Sequence, residues 1–148
     1  MGAHRRRALA PRTKEAAQVI LLDTHCALWA ELAPEKLSVK ARARIRKTEA
    51  TGEALAISCV SLWEIAQKHA RKQLELFVEC SQFLAELEKD FVVLPLTRAV
   101  ALQAARLSDP FPKDPMDRLI AGTALAHDLS LLTADEKIQR AAACKLLW

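Results

Sequence analysis

Four acids in this chain fall where strand gives way to helix: Asp23, Glu64, Asp117 and Asp135. Asp23 closes VILLD at 19–23, and Glu64 lies in SLWEI at 61–65. Asp117 lies in DPMDRLIAGTA at 114–124, and Asp135 in LLTADEKI at 131–138. Carboxylates gathered from different elements can do acid–base work or hold a metal ion. Oxygen donors without His or Cys favour a hard divalent cation, Mg²⁺ or Mn²⁺, over zinc. Such a centre activates water and stabilises negative charge on a phosphoryl group. Each acid also has an ordinary reading as a helix cap. For Glu64 that reading is specific, because Ser61-x-x-Glu64 matches a capping box. Four caps on one edge would repel one another, however, and cations close in sequence are few. Lys113 and Arg118 flank Asp117, and Arg118 can instead pair with Asp114 at i,i+4.

The elements that must position these acids follow from the hydrophobic pattern. Val19–Asp23 is apolar on both faces, as a central parallel strand is. Thr24–Ala33 reads as a helix with Leu28, Trp29 and Leu32 on one side, ended by Pro34. Ser38–Thr48 reads as a second helix. Its basic face (Lys40, Arg42, Arg44, Arg46, Lys47) is either solvated or a guide for an anionic substrate. Ala54–Ile57 is a second strand, followed by a helix to about Lys72 with His69 exposed. Phe77–Lys89 is an amphipathic helix with Phe83, Leu84 and Leu87 inward. Phe91–Leu94 is a third strand, stopped by Pro95. Thr97 caps a helix to Leu107, and SDPFPK at 108–113 forms a loop. Asp114 is a good N-cap, and Pro115 suits the first helical position. Leu129–Leu132, Lys137–Ala143 and Lys145–Trp148 read as strand, small helix and edge strand. This alternation predicts a parallel sheet covered on both faces. Open sheets of that kind place ligands beyond the carboxyl ends of their strands. The four acids fall there.

A chain of 148 residues that is 51% hydrophobic supports one domain with a full core. No apolar run approaches the roughly 20 residues of a membrane span. The three glycines (Gly2, Gly52, Gly122) are too few and too scattered for a GxGxxG or Walker A phosphate loop. Four cysteines without CxxC spacing exclude the usual structural zinc site. They read as core thiols of a reducing, cytoplasmic compartment. The net charge of +4 belongs to one end: Arg5, Arg6, Arg7, Arg12 and Lys14 against Glu15 account for all of it. Residues 1–17 read as a poorly ordered basic arm, with no apolar stretch to make them a signal peptide. The arm either touches nucleic acid by charge or is a bland terminal extension. Residues 18–148 form the single domain.

LLDTH at 21–25, SLWEI, DPMDRLIAGTA, LLTADEKI and the terminal LLW, in this order and spacing, resemble PIN-domain ribonucleases. Among these the likeness is to the VapC-like toxins of prokaryotic toxin–antitoxin pairs. The resemblance runs from about residue 18 to the end. It implies a PIN-like three-layer α/β/α sandwich around a mainly parallel sheet, acting as a metal-dependent endoribonuclease. The acidic site, both catalytic and metal-binding, is carried onto Asp23, Glu64, Asp117 and Asp135, with Mg²⁺ (or Mn²⁺) as cofactor. Asp114 matches a frequent extra acid, placed as N-cap behind the ligands. Thr24 and Thr133 become hydroxyl contacts to metal water or phosphate. The implied reaction is in-line attack of water on an RNA phosphodiester. The implied partners are RNA, a cognate antitoxin and a second copy of the chain, with no membrane. One departure is the basic arm, since relatives usually begin a few residues before the first strand. Two other enzymes fit poorly. A haloacid-dehalogenase-like phosphatase needs Asp at position 25, where this chain has His, and a Cys–His hydrolase using Cys26 or Cys59 cannot draw on the adjacent His25-Cys26 pair, because neighbours on a helix point apart. The alternative from another class is a catalytically silent PIN-like module that acts by docking a protein partner.

Overall fold

The computed structural model describes residues 19–148; the basic arm at 1–17 lies outside the described residues. Its central strand is β1 (Ile20–Leu22), which pairs in parallel with β2 (Leu55–Ser58) on one side and β4 (Ser130–Leu132) on the other. β3 (Val92–Leu94) and β5 (Leu146–Leu147) form the edges, giving the all-parallel order β3-β2-β1-β4-β5. Alternate residues supply the two faces, as strand geometry requires. Ile20, Leu22, Ile57 and Leu132 belong to one core; Leu21, Ala56 and Leu131 belong to the other.

The first core is closed by α1 (Thr24–Leu32), α2 (Val39–Ala50), α3 (Cys59–Ala70) and α4 (Cys80–Asp90) through Cys26, Ala27, Ile45, Ile65, Phe83 and Leu87. The second is closed by α6 (Pro115–His127) and α7 (Glu136–Ala141) through Ile120, Ala121, Ala124 and Ile138. α5 (Arg98–Arg106) lies against α6. Gly122 allows that approach: a Cβ there would meet the Ala104 Cβ and the Val100 carbonyl oxygen at 2.9 Å. Ser38, Thr97 and Asp114 cap α2, α5 and α6 as their sequence positions predict.

The structure departs from three local expectations. The helix expected from Phe77 begins at Cys80. Leu74 and Leu76 turn into the core while Glu75 and Phe77 face out, an extended period that leaves Phe77 fully exposed. His69 is half-buried rather than exposed, because its Nδ1 meets the Leu74 carbonyl oxygen at 3.2 Å as the chain folds back. Leu28, Trp29 and Leu32, expected on one side of α1, differ in burial: Leu28 is in the core and Leu32 is exposed at the end of the helix.

One topological feature selects the site. From β1 the chain crosses to β2, while β4, on the opposite side of β1, continues outward to β5. The carboxyl ends of β1 and β4 therefore flank a switch point, where open sheets leave a crevice.

Candidate active site

Asp23 follows β1 directly and is only 3% exposed. A buried carboxylate needs donors, and Asp23 has them on both oxygens. Oδ1 accepts from the Thr24 amide at 2.8 Å, and Oδ2 accepts from the Thr133 hydroxyl at 2.7 Å. The Asp23 amide itself donates to the Leu132 carbonyl at 2.9 Å, which locks the residue to β4. His25 Nδ1 stands 3.7 Å from Oδ2. Its ring meets Trp29 edge-on at 5.1 Å, and Trp29 in turn meets Trp148 at 6.1 Å.

Glu64 reaches the same edge from α3. The capping box expected for Ser61 and Glu64 does not form. Ser58 is the N-cap of α3, so Ser61 falls in the first turn of the helix and Glu64 in the second. There they share a face at i,i+3 and both meet Thr24. The Thr24 hydroxyl donates to Glu64 Oε1 at 2.7 Å and lies 2.8 Å from the Ser61 hydroxyl. A hydroxyl has one proton to donate. Since that proton goes to Glu64, Ser61 is the donor to Thr24. Ser61 is fully buried.

Asp135 stands beyond β4 as the N-cap of α7, accepting from the amides of Lys137 at 2.8 Å and Ile138 at 3.2 Å. The Thr133 hydroxyl, donating to Asp23, accepts from the Asp135 amide at 3.1 Å. Thr133 thus couples two of the acids through one oxygen. Gln139 fixes its carbonyl at 2.8 Å.

Asp117 occupies the first turn of α6, behind the cap Asp114, which accepts from the amides of Met116 at 2.8 Å and Asp117 at 3.3 Å. No hydrogen bond from a described residue reaches the Asp117 carboxylate. Partial burial pushes its pKa up to about 7, aided by the charges of Asp23, Asp114, Asp135 and Glu64. Glu64 is raised as well. Burial is the main cause and Asp23 and Asp114 add to it, against the Thr24 hydrogen bond and Lys68. The expected pair between Arg118 and Asp114 is absent: the Arg118 guanidinium binds the carbonyls of Leu107, Phe111 and Pro112 instead.

The sheet edge therefore gathers Asp23, Glu64, Asp117 and Asp135, with Asp114 behind them and Thr24, Ser61 and Thr133 as hydroxyl links. Thr24 and Thr133, expected as contacts to metal water or phosphate, bond carboxylates in this structure. Ser61 and His25 are the neighbours that sequence reasoning passed over. The i,i+3 spacing of Ser61 and Glu64 was the available signal for Ser61. Among the described residues, no three His, Cys, Asp or Glu side chains are closed tightly around an ion position as they stand. The donor chemistry still fits a hard cation. It is all oxygen, it is mutually repulsive, and no Lys or Arg among the described residues forms an ion pair with any of the four acids.

Comparison with known proteins bears on the family and the fold. The family model of the PIN domain matches residues 20–143. Ribonuclease VapC22 of Mycobacterium tuberculosis is 32% identical over 120 residues, covering 81% of this chain and 89% of that protein. The fold is shared with a chain of the VapBC2 structure from Rickettsia felis, bound to a DNA fragment from its promoter. That match has a TM-score of 0.67 at 16% identity, covering 88% of this chain and 98% of the other. A chain of FitAcB from Neisseria gonorrhoeae matches with a TM-score of 0.63 at 21% identity, over 88% and 97% of the two chains.

Proposed function

The chain belongs to the PIN-domain family, and on that premise we propose that it is a metal-dependent endoribonuclease, the toxin of a toxin–antitoxin pair. A single observation carries the reading. Four carboxylates lie at the β1/β4 switch point, Asp23 and Glu64 held by hydroxyls and Asp135 by backbone amides, and none is paired with a Lys or Arg among the described residues. Structural acids are ordinarily neutralised in place; these form no ion pair with a Lys or Arg among the described residues.

Asp23, Glu64, Asp117 and Asp135 would hold the ion, Mg²⁺ or Mn²⁺, which when bound activates water and screens charge on the phosphate oxygens. The chain's own residues do the rest. Thr133 and the Thr24 amide fix both oxygens of Asp23, each of which keeps a second lone pair for a ligand. Thr24 occupies Oε1 of Glu64 and leaves Oε2 without a bond to any described residue. Ser61 orients the Thr24 hydroxyl toward Glu64. Asp117 has no bond to lose and is poised to deprotonate near neutrality as positive charge arrives. The substrate is RNA. The cognate antitoxin and a second copy of the chain are the protein partners, in the cytoplasm. No helix among the described residues is long and apolar enough to cross a membrane.

A second reading, a silent PIN-like module acting through a protein partner, draws on the capping by Asp23, Asp114 and Asp135. It gives no reason for Glu64 and Asp117, which cap nothing. Incubating the purified protein with mixed-sequence RNA in Mg²⁺, Mn²⁺ or EDTA separates the two. Internal cleavage with either metal, abolished by EDTA, is expected. RNA left intact in both metals would favour the docking module.

A further inference from the structure

Arg118 stands next to Asp117 in sequence, yet its charge is directed elsewhere. Nε donates to the Pro112 carbonyl at 2.9 Å, Nη2 to the Phe111 carbonyl at 3.3 Å, and Nη1 to the Leu107 carbonyl. The guanidinium carbon lies 5.9 Å from the centre of the Phe111 ring, which is itself only 2% exposed. Its own backbone amide donates to the Asp114 carbonyl at 3.1 Å, among the first backbone bonds of α6.

We infer that Arg118 is a positioning residue: its guanidinium fork ties the 107–112 loop to the first turn of α6 and so sets where Asp117 stands in the acidic site. This rests on the metal-site reading of Asp117 given above. Three observations support it. The loop connects α5 to α6 and contains Pro110 and Pro112, which have no amide to donate, so its carbonyls need an outside donor. Three carbonyls of one loop fall to one planar fork, a geometry that an ammonium point charge cannot reproduce. Finally, with its bonds made to the loop, the guanidinium forms no ion pair with Asp114 or Asp117. Arg118 therefore braces the acidic site without neutralising it, which leaves that charge for an external cation.

The test uses the full chain with Arg118→Lys, which keeps the charge, and Arg118→Met, which removes it. Amide hydrogen exchange over residues 107–117, without metal or RNA, reads the clamp directly. In Arg118→Lys exchange should quicken about tenfold or more, the change implied by losing one charge-assisted hydrogen bond. The Mg²⁺ concentration for half-maximal rise in melting temperature should increase severalfold. RNA cleavage should lose about tenfold to a hundredfold in kcat, the range expected when a group is misplaced by up to an ångström, with KM unchanged. Arg118→Met should follow Arg118→Lys. Wild-type exchange and Mg²⁺ response in Arg118→Lys would overturn the inference. So would a loss confined to KM with a salt slope shallower by about one, which marks a phosphate contact. A lowered melting temperature with wild-type kcat would also overturn it, leaving a purely structural role. Should the wild type cut no RNA, the proposed function fails, while exchange and Mg²⁺ melting still decide the clamp.

Discussion

Two acidic clusters stand at opposite edges of the sheet, and they differ in what holds them. At the carboxyl edge, Asp117 is raised to about 7. At the amino edge, Glu31 near the end of α1 is also raised to about 7, through partial burial, then the charge of Asp90 and a hydrogen bond shared with it, then Glu49 and Glu86. The displacement is similar and the setting is not. Glu31, Glu49 and Asp90 lie in the last turns of their helices, where the helix dipole already opposes negative charge. Glu86 has a local partner, Lys89, at 3.0 Å. The Glu31 residue as a whole is exposed, as are Glu49, Glu86 and Asp90. At the carboxyl edge, Asp23 is buried and hydroxyls from three elements brace the acids. Repulsion between carboxylates thus does not define a site. A scaffold that holds them in place despite the repulsion does.

The strongest way to break this contrast is to neutralise one acid at each edge. Asp117→Asn should lower RNA cleavage by more than about a hundredfold, beyond the loss typical of a residue merely supporting a metal ligand. Glu31→Gln should leave cleavage at the wild-type rate. Equal rates in the two variants would dissolve the distinction. A smaller effect is expected from the scaffold itself. Thr133→Val removes the donor to Asp23 Oδ2 and the acceptor of the Asp135 amide, and should cost about tenfold to a hundredfold in metal affinity or rate. A Mg²⁺ titration of cleavage measures it, and an unchanged midpoint would show the hydroxyl to be dispensable.

Much of this was legible in the chain and some was not, for reasons of distance. The strand at 19–23 and the caps Ser38, Thr97 and Asp114 announce themselves because each depends on neighbours a few residues away. The alternation of strand and helix gives the parallel sheet, and the sheet gives the edge. The partner of Glu64 is different. Local spacing favours a capping box with Ser61, and only the approach of α1 to α3 brings Thr24 to both. Arg118 misleads in the same way, since Asp114 is four residues away while the carbonyls it binds come from a proline-broken loop. Phe77 looks like the start of a helix until Leu74 and Leu76 take the core in extended chain.

The smallest effect sharpens the comparison through stability. Below pH about 4 Asp117 is protonated whether folded or not, because its unfolded value is 3.8. Between that and about 7 the native state keeps a proton that the unfolded chain has released, so stability falls as pH rises through this window. Above it the full penalty stands. Asp117→Asn should therefore match wild type near pH 4 and exceed it at pH 8. The gain should be on the order of 1–2 kcal/mol, allowing for screening by solvent. Glu31→Gln should gain less, being more open to water. Urea unfolding at the two pH values reads both. Mg²⁺ then tells the edges apart: it should raise the melting temperature of wild type and Glu31→Gln alike, and of Asp117→Asn less. A Mg²⁺ response lost in Glu31→Gln would place the cation at the wrong edge.

The bond from Thr133 to Asp23 joins residues 110 apart in sequence. Asp23 is synthesised well before the residues that hold it. Its partner Thr133 just past β4, the helix bearing Asp117 and the cap Asp135 all come much later in the chain. A nascent chain that ends before residue 135 lacks part of the acidic site. With the first strand beside the fourth, the acidic site is completed only after the strands between them in sequence have been made.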